Sequence, residues 1–289
     1  VSPPFFLFPV TPIRSPYYNL AIEESIALHL SSSGLTGGVR IWTNPPSIIL
    51  GLSENPFRNV QEDVIRPFLE KAETSSFPKK AIPDFTYIAR RASGGGTVFH
   101  NPTGNVNYSI YVNLDVRKEL FPVKSSYDIL LGLVAKALIK QEIGASAKGK
   151  SDLAIEEAGV IKKISGNAQF RKRNCIVQHG TLILKKDLIQ SVSNVLHHPP
   201  EEPDYRKERT HRDFLTSLPD HFSVPQFQSD LFAEFANYLG ETLPSQNKDF
   251  SFWGKGFSSF RKLVLKESEI IRKRKYESLP FILNREIPT

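Results

Sequence analysis

The stretch "RRASGGGTVFHNPTGNVNYSI", Arg90 to Ile110, sets three consecutive glycines between a pair of arginines and two strand-like runs. Glycine has no Cβ, so such a run admits positive φ angles and lets another group approach bare amides. "FTYIARR" before the glycines and "TVFH" after them read as strands. Beyond them, "NVNYSIYVN" alternates strictly: Val106, Tyr108, Ile110 and Val112 take one face, and Asn105, Asn107 and Ser109 the other, which predicts a half-buried strand with a polar face. The Walker phosphate loop needs a Gly-Lys-Ser/Thr ending, but Gly96 is followed by Thr97 and Val98. The dinucleotide fingerprint, counted from Gly94, would put its last glycine at Phe99, and the segment leads into a strand rather than a helix. A plain flexible turn is one reading; in the other, a carboxylate or phosphate lying against the glycine amides would meet a guanidinium of Arg90 or Arg91 capable of bidentate bonding.

A second stretch, "KKISGNAQFRKRNCIVQHGTLIL" from Lys162 to Leu184, pairs two lysines with small and polar residues in a strand-like run. In an extended chain Lys163 and Ser165 share a face and Lys162 takes the other, so one lysine can point inward while its neighbour stays in water; the ordinary reading of either is a surface charge. Around these stretches, "SPYYNLAIEESIALHLSSSG" predicts a helix capped by Ser15, started by Pro16, ended by Gly34, and buried through Leu20, Ile26, Ala27 and Leu30. "GGVRIW" and "SIILG" read as two strands around the "TNPP" turn, "FRNVQEDVIRPFLEKA" as a helix interrupted near Pro67, and "ETSSFPKKAIPD" as an exposed loop. "SSYDILLGLVAKALIKQEIG" carries an apolar stripe of Ile129, Leu130, Leu133, Val134 and Leu138, with Gly144 at the C-terminal cap. Several strands are expected from Asp152 to Leu184, and late helices in "VPQFQSDLFAEFANYLG" and "ESEIIRKRKYES". Strands cluster, with helices before, between and after them, which is the pattern of an α+β domain.

Composition narrows the function classes. A chain of 289 residues that is 40% hydrophobic and 23% charged can bury a sizeable core. No apolar run approaches the ~18 to 20 residues of a membrane-spanning helix, and "VSPPFFLFPV" has neither a basic n-region nor a cleavage-like end, so neither a membrane nor secretion is indicated. The single cysteine, Cys175, excludes an internal disulfide and a cysteine-built zinc site and fits a reducing compartment. The net charge of +7 points to anionic partners. The densest basic run, Ile270 to Ser278, reads as a solvated helix face. Zinc-finger spacing, an aromatic RNA-binding signature and basic-zipper heptads are all missing, which makes nucleic acid the weaker partner class.

The pairing of "RRASGGGTVFHNPTGNVNYSI" with "KKISGNAQ" and "QHGTLIL", preceded by "GKSDLAI", resembles the catalytic domain of the lipoate-protein ligase family, which is related to biotin protein ligases and octanoyltransferases. "YYNLAIEES" and "NPPSIILGLSENP" match the opening helix and hairpin of the same family, so the similarity runs from about Tyr17 to Leu184. The resemblance implies a mixed, largely antiparallel sheet flanked by helices. It implies a catalytic domain over residues 1–240, with 241–289 as an extension packing on it in place of a full accessory domain. The implied reaction activates lipoic acid with ATP and Mg2+ to lipoyl-AMP. The lipoyl group then passes to one lysine of a lipoyl domain, in 2-oxoacid dehydrogenase complexes or the glycine cleavage H protein. The implied compartment is cytoplasmic, or mitochondrial in a eukaryote, and the missing accessory domain leaves room for an accessory subunit.

Roles follow residue by residue from the resemblance. Lys163 matches the active-site lysine that lies against the reacting carboxyl and the α-phosphate, an electrostatic catalyst rather than the modified lysine. Asp152 would hold magnesium or orient the incoming amine, with Ser151 standing where asparagine is usual. Arg90, Ser93, Gly94, Gly95, Gly96 and Val98 resemble the wall that admits the acyl tail and the acyl-adenylate, with Arg90 pairing with the anion. Asn105, Ser165, Gly166, Asn167, Ala168, His179 and Gly180 complete the implied substrate site. His179 reads equally as a satisfied core histidine. "HNPTGN" is one residue longer than the family's His-Asp-x-Gly-Asn, which leaves the aim of Asn105 open. Cysteine-dependent octanoyltransferases carry their cysteine just upstream of the lysine motif, but "ASAKGKSDLAIEEAG" has none, and Cys175 reads as a small buried hydrophobe. The Gly-Arg-Gly-Arg loop of biotin ligases is missing too. The alternatives are a transferase using a preformed acyl donor, and a non-catalytic relative that binds lipoyl domains or nucleic acid. "PPEEPDYRKERTHRDFLTSL", Pro199 to Leu218, receives no catalytic role.

Overall fold

A computed structural model describes all residues except 1–4, 12, 75–76, 78–81, 83–84, 200, 242, 244–248 and 289. After strand β1 (Phe5–Phe8), Ser15 opens helix α1 (Pro16–His29): its Oγ accepts from the Tyr18 amide at 3.4 Å, and Pro16 supplies a preset φ at the first helical position. Gly34, at φ +71°, closes the short turn that follows. The inward set Leu20, Ile26, Ala27 and Leu30 is buried, but so are Asn19, Glu23, Glu24 and Ser25, so α1 is covered on more than one side.

Strands β2 (Gly37–Trp42) and β3 (Ser47–Leu50) form where expected, yet they are not a hairpin. Pro45 and Pro46 offer no amide to a tight ladder, and the chain crosses between two sheets there. Helices α2 (Pro56–Asn59) and α3 (Glu62–Thr74) follow; Pro67 lies inside α3 and does not interrupt it, since a proline removes one intrahelical bond and the apolar face still packs through Ile65 and Phe68. The expected exposed loop from Glu73 to Asp84 lies largely outside the described residues, although Phe77 within it is buried and stacked on Phe68.

The remaining strands are β4 (Tyr87–Arg90), β5 (Val98–His100), β6 (Asn105–Asn113), β7 (Ser146–Lys148), β8 (Asp152–Glu157), β9 (Val160–Lys172) and β10 (Cys175–Ile183). They make a seven-stranded sheet in the order β1-β2-β6-β10-β9-β8-β7 and a three-stranded sheet in the order β4-β3-β5. Among the described strands only β1/β2 and β3/β4 pair in parallel, so the architecture is the mixed, largely antiparallel one that the resemblance implied. Strand β6 is buried on both faces rather than half-buried. Its apolar face joins the core cluster under helices α4 (Val123–Ile139) and α7 (Val224–Leu239), and Ser109 on its polar face bonds to α1.

Gly144 does not cap α4: the helix ends at Ile139, and Glu142 takes the positive φ instead. Helices α5 (Lys186–Val195) and α6 (His211–Phe214) precede α7, which Ser223 caps at its start and Gly240 at its end. Helix α8 (Ser258–Ile271) starts earlier than expected, runs into a π turn over Arg272–Tyr276, and is followed by α9 (Leu279–Asn284). The basic run is only partly a solvated face. Lys275 is buried, with Nζ 2.6 Å from Glu24 Oε2, while Lys172 approaches Oε1 of the same carboxylate at 3.2 Å. None of the described helices is long and apolar enough to cross a membrane.

Arg90 departs most from expectation. It is fully buried, and its guanidinium donates to the carbonyls of Gly51, Leu52 and Glu54 and, across the chain, of Phe281, Ile282 and Leu283, at 2.7 to 3.1 Å. Burial, aided by the nearby Arg285 charge, lowers its pKa to about 10, so it stays charged at neutral pH. A guanidinium committed to six carbonyls is not aimed at an anionic ligand; it fastens α9 to the start of the glycine loop. An ammonium has fewer donors and no planar fork, so Arg90→Lys is expected to lower folding stability by about 2 to 3 kcal/mol in urea denaturation. The same substitution should make the chain after Ser278 the first site of limited proteolysis.

Candidate active site on one face of the central sheet

The direction of Lys163 is set by a bulge. Leu153 of β8 pairs with Ser165 and Ala154 pairs with Lys163, which leaves Ile164 as the extra residue. Ile164 packs in the same core cluster as Leu153, and Ser165 Oγ lies 3.4 Å from Asn167 Oδ1 on that side, so Lys163 and Ser165 do not share a face as simple alternation predicts. Lys163 turns the other way, where its Nζ lies 2.8 Å from Asp152 Oδ1. Gly166 is the recess for this side chain: a Cβ there would lie 2.9 Å from Lys163 Nζ.

The segment that received no catalytic role covers this pair. Tyr205 OH donates to Asp152 Oδ2 at 2.8 Å, Thr216 N donates to Lys163 O at 2.9 Å, and the Phe214 ring lies 6.0 Å from Lys163 Nζ. Lys162 instead faces a surface cavity of about 240 Å³ whose lining includes Glu157, Lys186, Arg212 and Thr216 but not Lys163.

The glycine loop sits against the same face. Gly95 takes φ +82°, and a Cβ there would lie 3.9 Å from the Ala168 Cβ of β9. Arg91 rather than Arg90 shapes the loop, donating to Gly94 O at 2.6 Å, Gly96 O at 2.9 Å and Ile49 O at 3.1 Å. A Cβ added at Gly94 or Gly96 would meet no protein atom within 4 Å, so the fold itself does not require glycine at either position.

Beneath the loop runs a buried polar chain. Arg91 Nε donates to Ser93 Oγ at 2.9 Å, Ser93 Oγ lies 2.7 Å from His179 Nε2, and His179 Nδ1 lies 2.9 Å from Glu23 Oε2. Ser109 Oγ donates to Glu23 Oε1 at 2.6 Å and accepts from Trp42 Nε1 at 2.9 Å. Burial alone would raise the Glu23 pKa, but His179, the Ser109 hydroxyl and Arg40 outweigh it and hold the carboxyl below its ordinary value. Glu23 was not singled out from the sequence; the signal was an acidic residue within the "YYNLAIEES" helix.

A second chain passes through His100. Asn44 Nδ2 lies 3.0 Å from His100 Nδ1, and His100 Nε2 lies 2.9 Å from Thr181 Oγ1. Asn19 Nδ2 donates to Asn44 Oδ1 at 2.8 Å, which fixes the amide orientation and makes His100 Nδ1 the acceptor. Burial, with the Arg91 and His179 charges, lowers the His100 pKa to about 3.

Ser93, Gly95, Asp152, Lys163, Gly166, Ala168 and His179 therefore gather on one side of the sheet, with Gly94 and Gly96 flanking Gly95. Ser165, Asn167 and Gly180 lie on the other side. Asn167 Nδ2 donates to Ser151 O at 2.8 Å and its Oδ1 accepts from Tyr108 OH, while a Cβ on Gly180 would lie 1.9 Å from that oxygen. These three support the turn before Asp152 from behind. Val98 packs beside the second core cluster. Asn105 closes the lengthened loop: its Oδ1 accepts from Asn101 N at 2.6 Å and its Nδ2 donates to Asn107 Oδ1 at 3.2 Å.

Residues 15–236 match the model of the lipoyl protein ligase A/B catalytic domain. The chain belongs to that family. A Schizosaccharomyces pombe protein provisionally named lipoate-protein ligase A is 32% identical over 174 residues, which is 60% of this chain and 40% of that protein. An Aeropyrum pernix protein of the same provisional name is 29% identical over 60% of this chain and 55% of its own length, so the match spans about half the length of these curated relatives. In structure, the bi-partite lipoate protein ligase of Thermoplasma acidophilum, described with its E2 lipoyl domain, superposes with a TM-score of 0.70 at 18% identity, covering 100% of this chain and 99% of that one. A lipoate-protein ligase A bound with ATP superposes with a TM-score of 0.67 at 17% identity, covering 99% and 100%. These structural likenesses show the lipoate-protein ligase fold.

Within this family's fold the gathered groups can do two things. An ammonium held by one carboxylate can offset negative charge on a reacting carboxyl or phosphoryl oxygen, and a loop of accessible glycines can take a chain or an anion close to the backbone. Two measurements check the geometry. In thermal or urea denaturation, Gly94→Ala and Gly96→Ala should change stability by no more than about 0.5 kcal/mol, whereas Gly95→Ala and Gly180→Ala should each lose about 1 to 3 kcal/mol through strained φ or overpacking. His100 resists protonation in the fold but not in the unfolded chain, so its contribution is present above pH 6.5 and lost as pH falls. Stability should drop by about 2 kcal/mol from pH 7 to pH 5, and His100→Gln should flatten that slope.

Proposed function

We propose that this chain is the catalytic domain of a lipoate-protein ligase, which activates lipoate with ATP to lipoyl-AMP and transfers the lipoyl group to one lysine of a lipoyl domain. The observation that carries this reading is the Lys163 ammonium, 2.8 Å from Asp152 and on the same side of the sheet as the glycine loop. Lys163 would lie against the lipoate carboxylate and the α-phosphate as negative charge shifts between their oxygens, with Asp152 holding it in place. The acyl tail would run past Ala168 and under the loop toward His179 and Glu23, where Gly94 and Gly96 keep the approach open. The Asp152 oxygens face Lys163 and Tyr205 here, so magnesium would take Asp152 as a ligand only beside those contacts or in place of one of them, with substrate phosphates as its other ligands; bound there it would neutralise phosphate charge.

The similarity to a ligase bound with ATP and to one described with its E2 lipoyl domain supports this choice of substrates. Lipoyl domains of 2-oxoacid dehydrogenase complexes and the glycine cleavage H protein are the proposed acceptors, in the cytoplasm or, in a eukaryote, the mitochondrion. Residues 1–240 would form the catalytic unit and 241–289 an extension on it. The description of the Thermoplasma ligase as bi-partite makes a separate accessory subunit a reasonable partner. Against a cysteine thioester mechanism, Cys175 is buried in the core cluster of Phe6, Phe170 and Val177, and burial pushes its thiol pKa up.

Intact mass of a purified apo lipoyl domain, incubated with this protein, lipoate and magnesium ATP, tests the reading. A lipoyl-sized increase is expected, reduced at least ~10²-fold in rate by Lys163→Ala, since the neighbouring cation, Lys162, faces the other way toward Glu157. An increase only with added lipoyl-AMP would assign the chain to transfer alone, and undiminished activity in Lys163→Ala would remove Lys163 from the mechanism.

A further inference from the structure

Asp152 offers two oxygens, and different partners take them. Oδ1 faces the Lys163 ammonium at 2.8 Å and Oδ2 accepts from the Tyr205 hydroxyl at 2.8 Å. A carboxylate held at one oxygen swings about its last torsion, which is broad for a terminal sp² group; held at both, its plane is fixed and so is the position of the ammonium that follows it. From these contacts we infer that Tyr205 is a positioning residue for the Asp152–Lys163 pair, a role that rests on the reading of Lys163 proposed above.

Tyr205 is itself held in ways that suit this task. Its ring packs on Phe214 with centroids 5.1 Å apart, and the Arg206 and Arg209 guanidinium groups lie over the Phe214 ring at 4.9 and 5.3 Å. Arg209 donates through Nη2 to Tyr205 O at 2.8 Å and through Nη1 to Ile161 O at 3.0 Å, and Thr216 N donates to Lys163 O at 2.9 Å. The segment bearing Tyr205 is thus tied to β9 at Ile161 and again at Lys163, so the hydroxyl and the lysine backbone move as one unit. Gly149, at φ +57°, lies beside the ring: a Cβ there would touch Tyr205 Cε1 at 3.5 Å, an ordinary van der Waals distance.

Tyr205→Phe removes the hydroxyl and keeps the ring. With trace acetic anhydride and peptide mass spectrometry, Lys163 in this variant is expected to acetylate at least threefold faster than in the unaltered protein, relative to the exposed Lys186, with Asp152→Asn as the reference for a fully released lysine. In the ligation assay, kcat for lipoyl-AMP formation should fall about tenfold while KM for lipoate stays within twofold, a split that loosened packing alone would not give. Unchanged Lys163 labelling in Tyr205→Phe, beside faster labelling in Asp152→Asn, overturns the inference. Faster labelling in a protein that makes no lipoyl-AMP supports the positioning role and instead counts against the ligase reading.

Discussion

The extra residue at Ile164 governs everything at the candidate site. Without it, alternation along β9 would leave Lys163 and Ser165 on one face, and the ammonium would enter the apolar layer under α4 with no carboxylate to meet it. An unpaired buried charge is costly enough that the strand would resist such an arrangement. With the bulge, Ile164 joins the core, Ser165 backs the Asn167 support, and Lys163 turns toward Asp152. A Cβ at Gly166 would then displace the tip of the lysine that lies across it. Register, core packing and the position of the charge are one constraint.

Buried ion pairs and polar chains hold the layers around that constraint. Glu24 draws together β9 through Lys172 and the C-terminal π turn through Lys275, while Glu23, one residue earlier, serves His179 and the glycine loop. Two adjacent carboxylates on α1 thus divide the labour, one fastening the periphery and the other organising the polar interior. That division explains why so polar a helix can be buried: its charged groups have partners on the strands and helices it contacts.

Much of this was legible in the sequence because it depends on short-range patterning. The α1 cap at Ser15 and Pro16, the alternation of β6 and the strands beside the glycines are all local signals, and the structure carries them. Lys163 and Asp152 were singled out by their resemblance to the family's motifs, which lie in order along the chain. Other features depend on partners far away in sequence. That Arg90 serves carbonyls near Phe281 rather than a ligand, that β6 is covered on both faces, and that "GGVRIW" and "SIILG" part into different sheets are decided by tertiary packing, which residue spacing does not encode. The bulge at Ile164 is hidden for a related reason: it exists only as a mismatch between two strands. Tyr205 lay in a segment given no catalytic role, and only its contact with Asp152 gives it meaning.

The Arg90 clamp also bears on how the protein is made. Its donors belong to a strand near the middle of the first half of the chain, and three of its acceptors come 191 to 193 residues later. During synthesis β4 would therefore emerge with a buried guanidinium still lacking half of its carbonyls. Closing so long a loop is slow, because its entropy must be overcome before the contact rewards it. The clamp on α9 would close only after Leu283 has left the ribosome, whereas the Arg91 bonds that shape the glycine loop reach only Ile49, Ser93, Gly94 and Gly96, so a nascent chain could form the loop well before its C-terminal fastening.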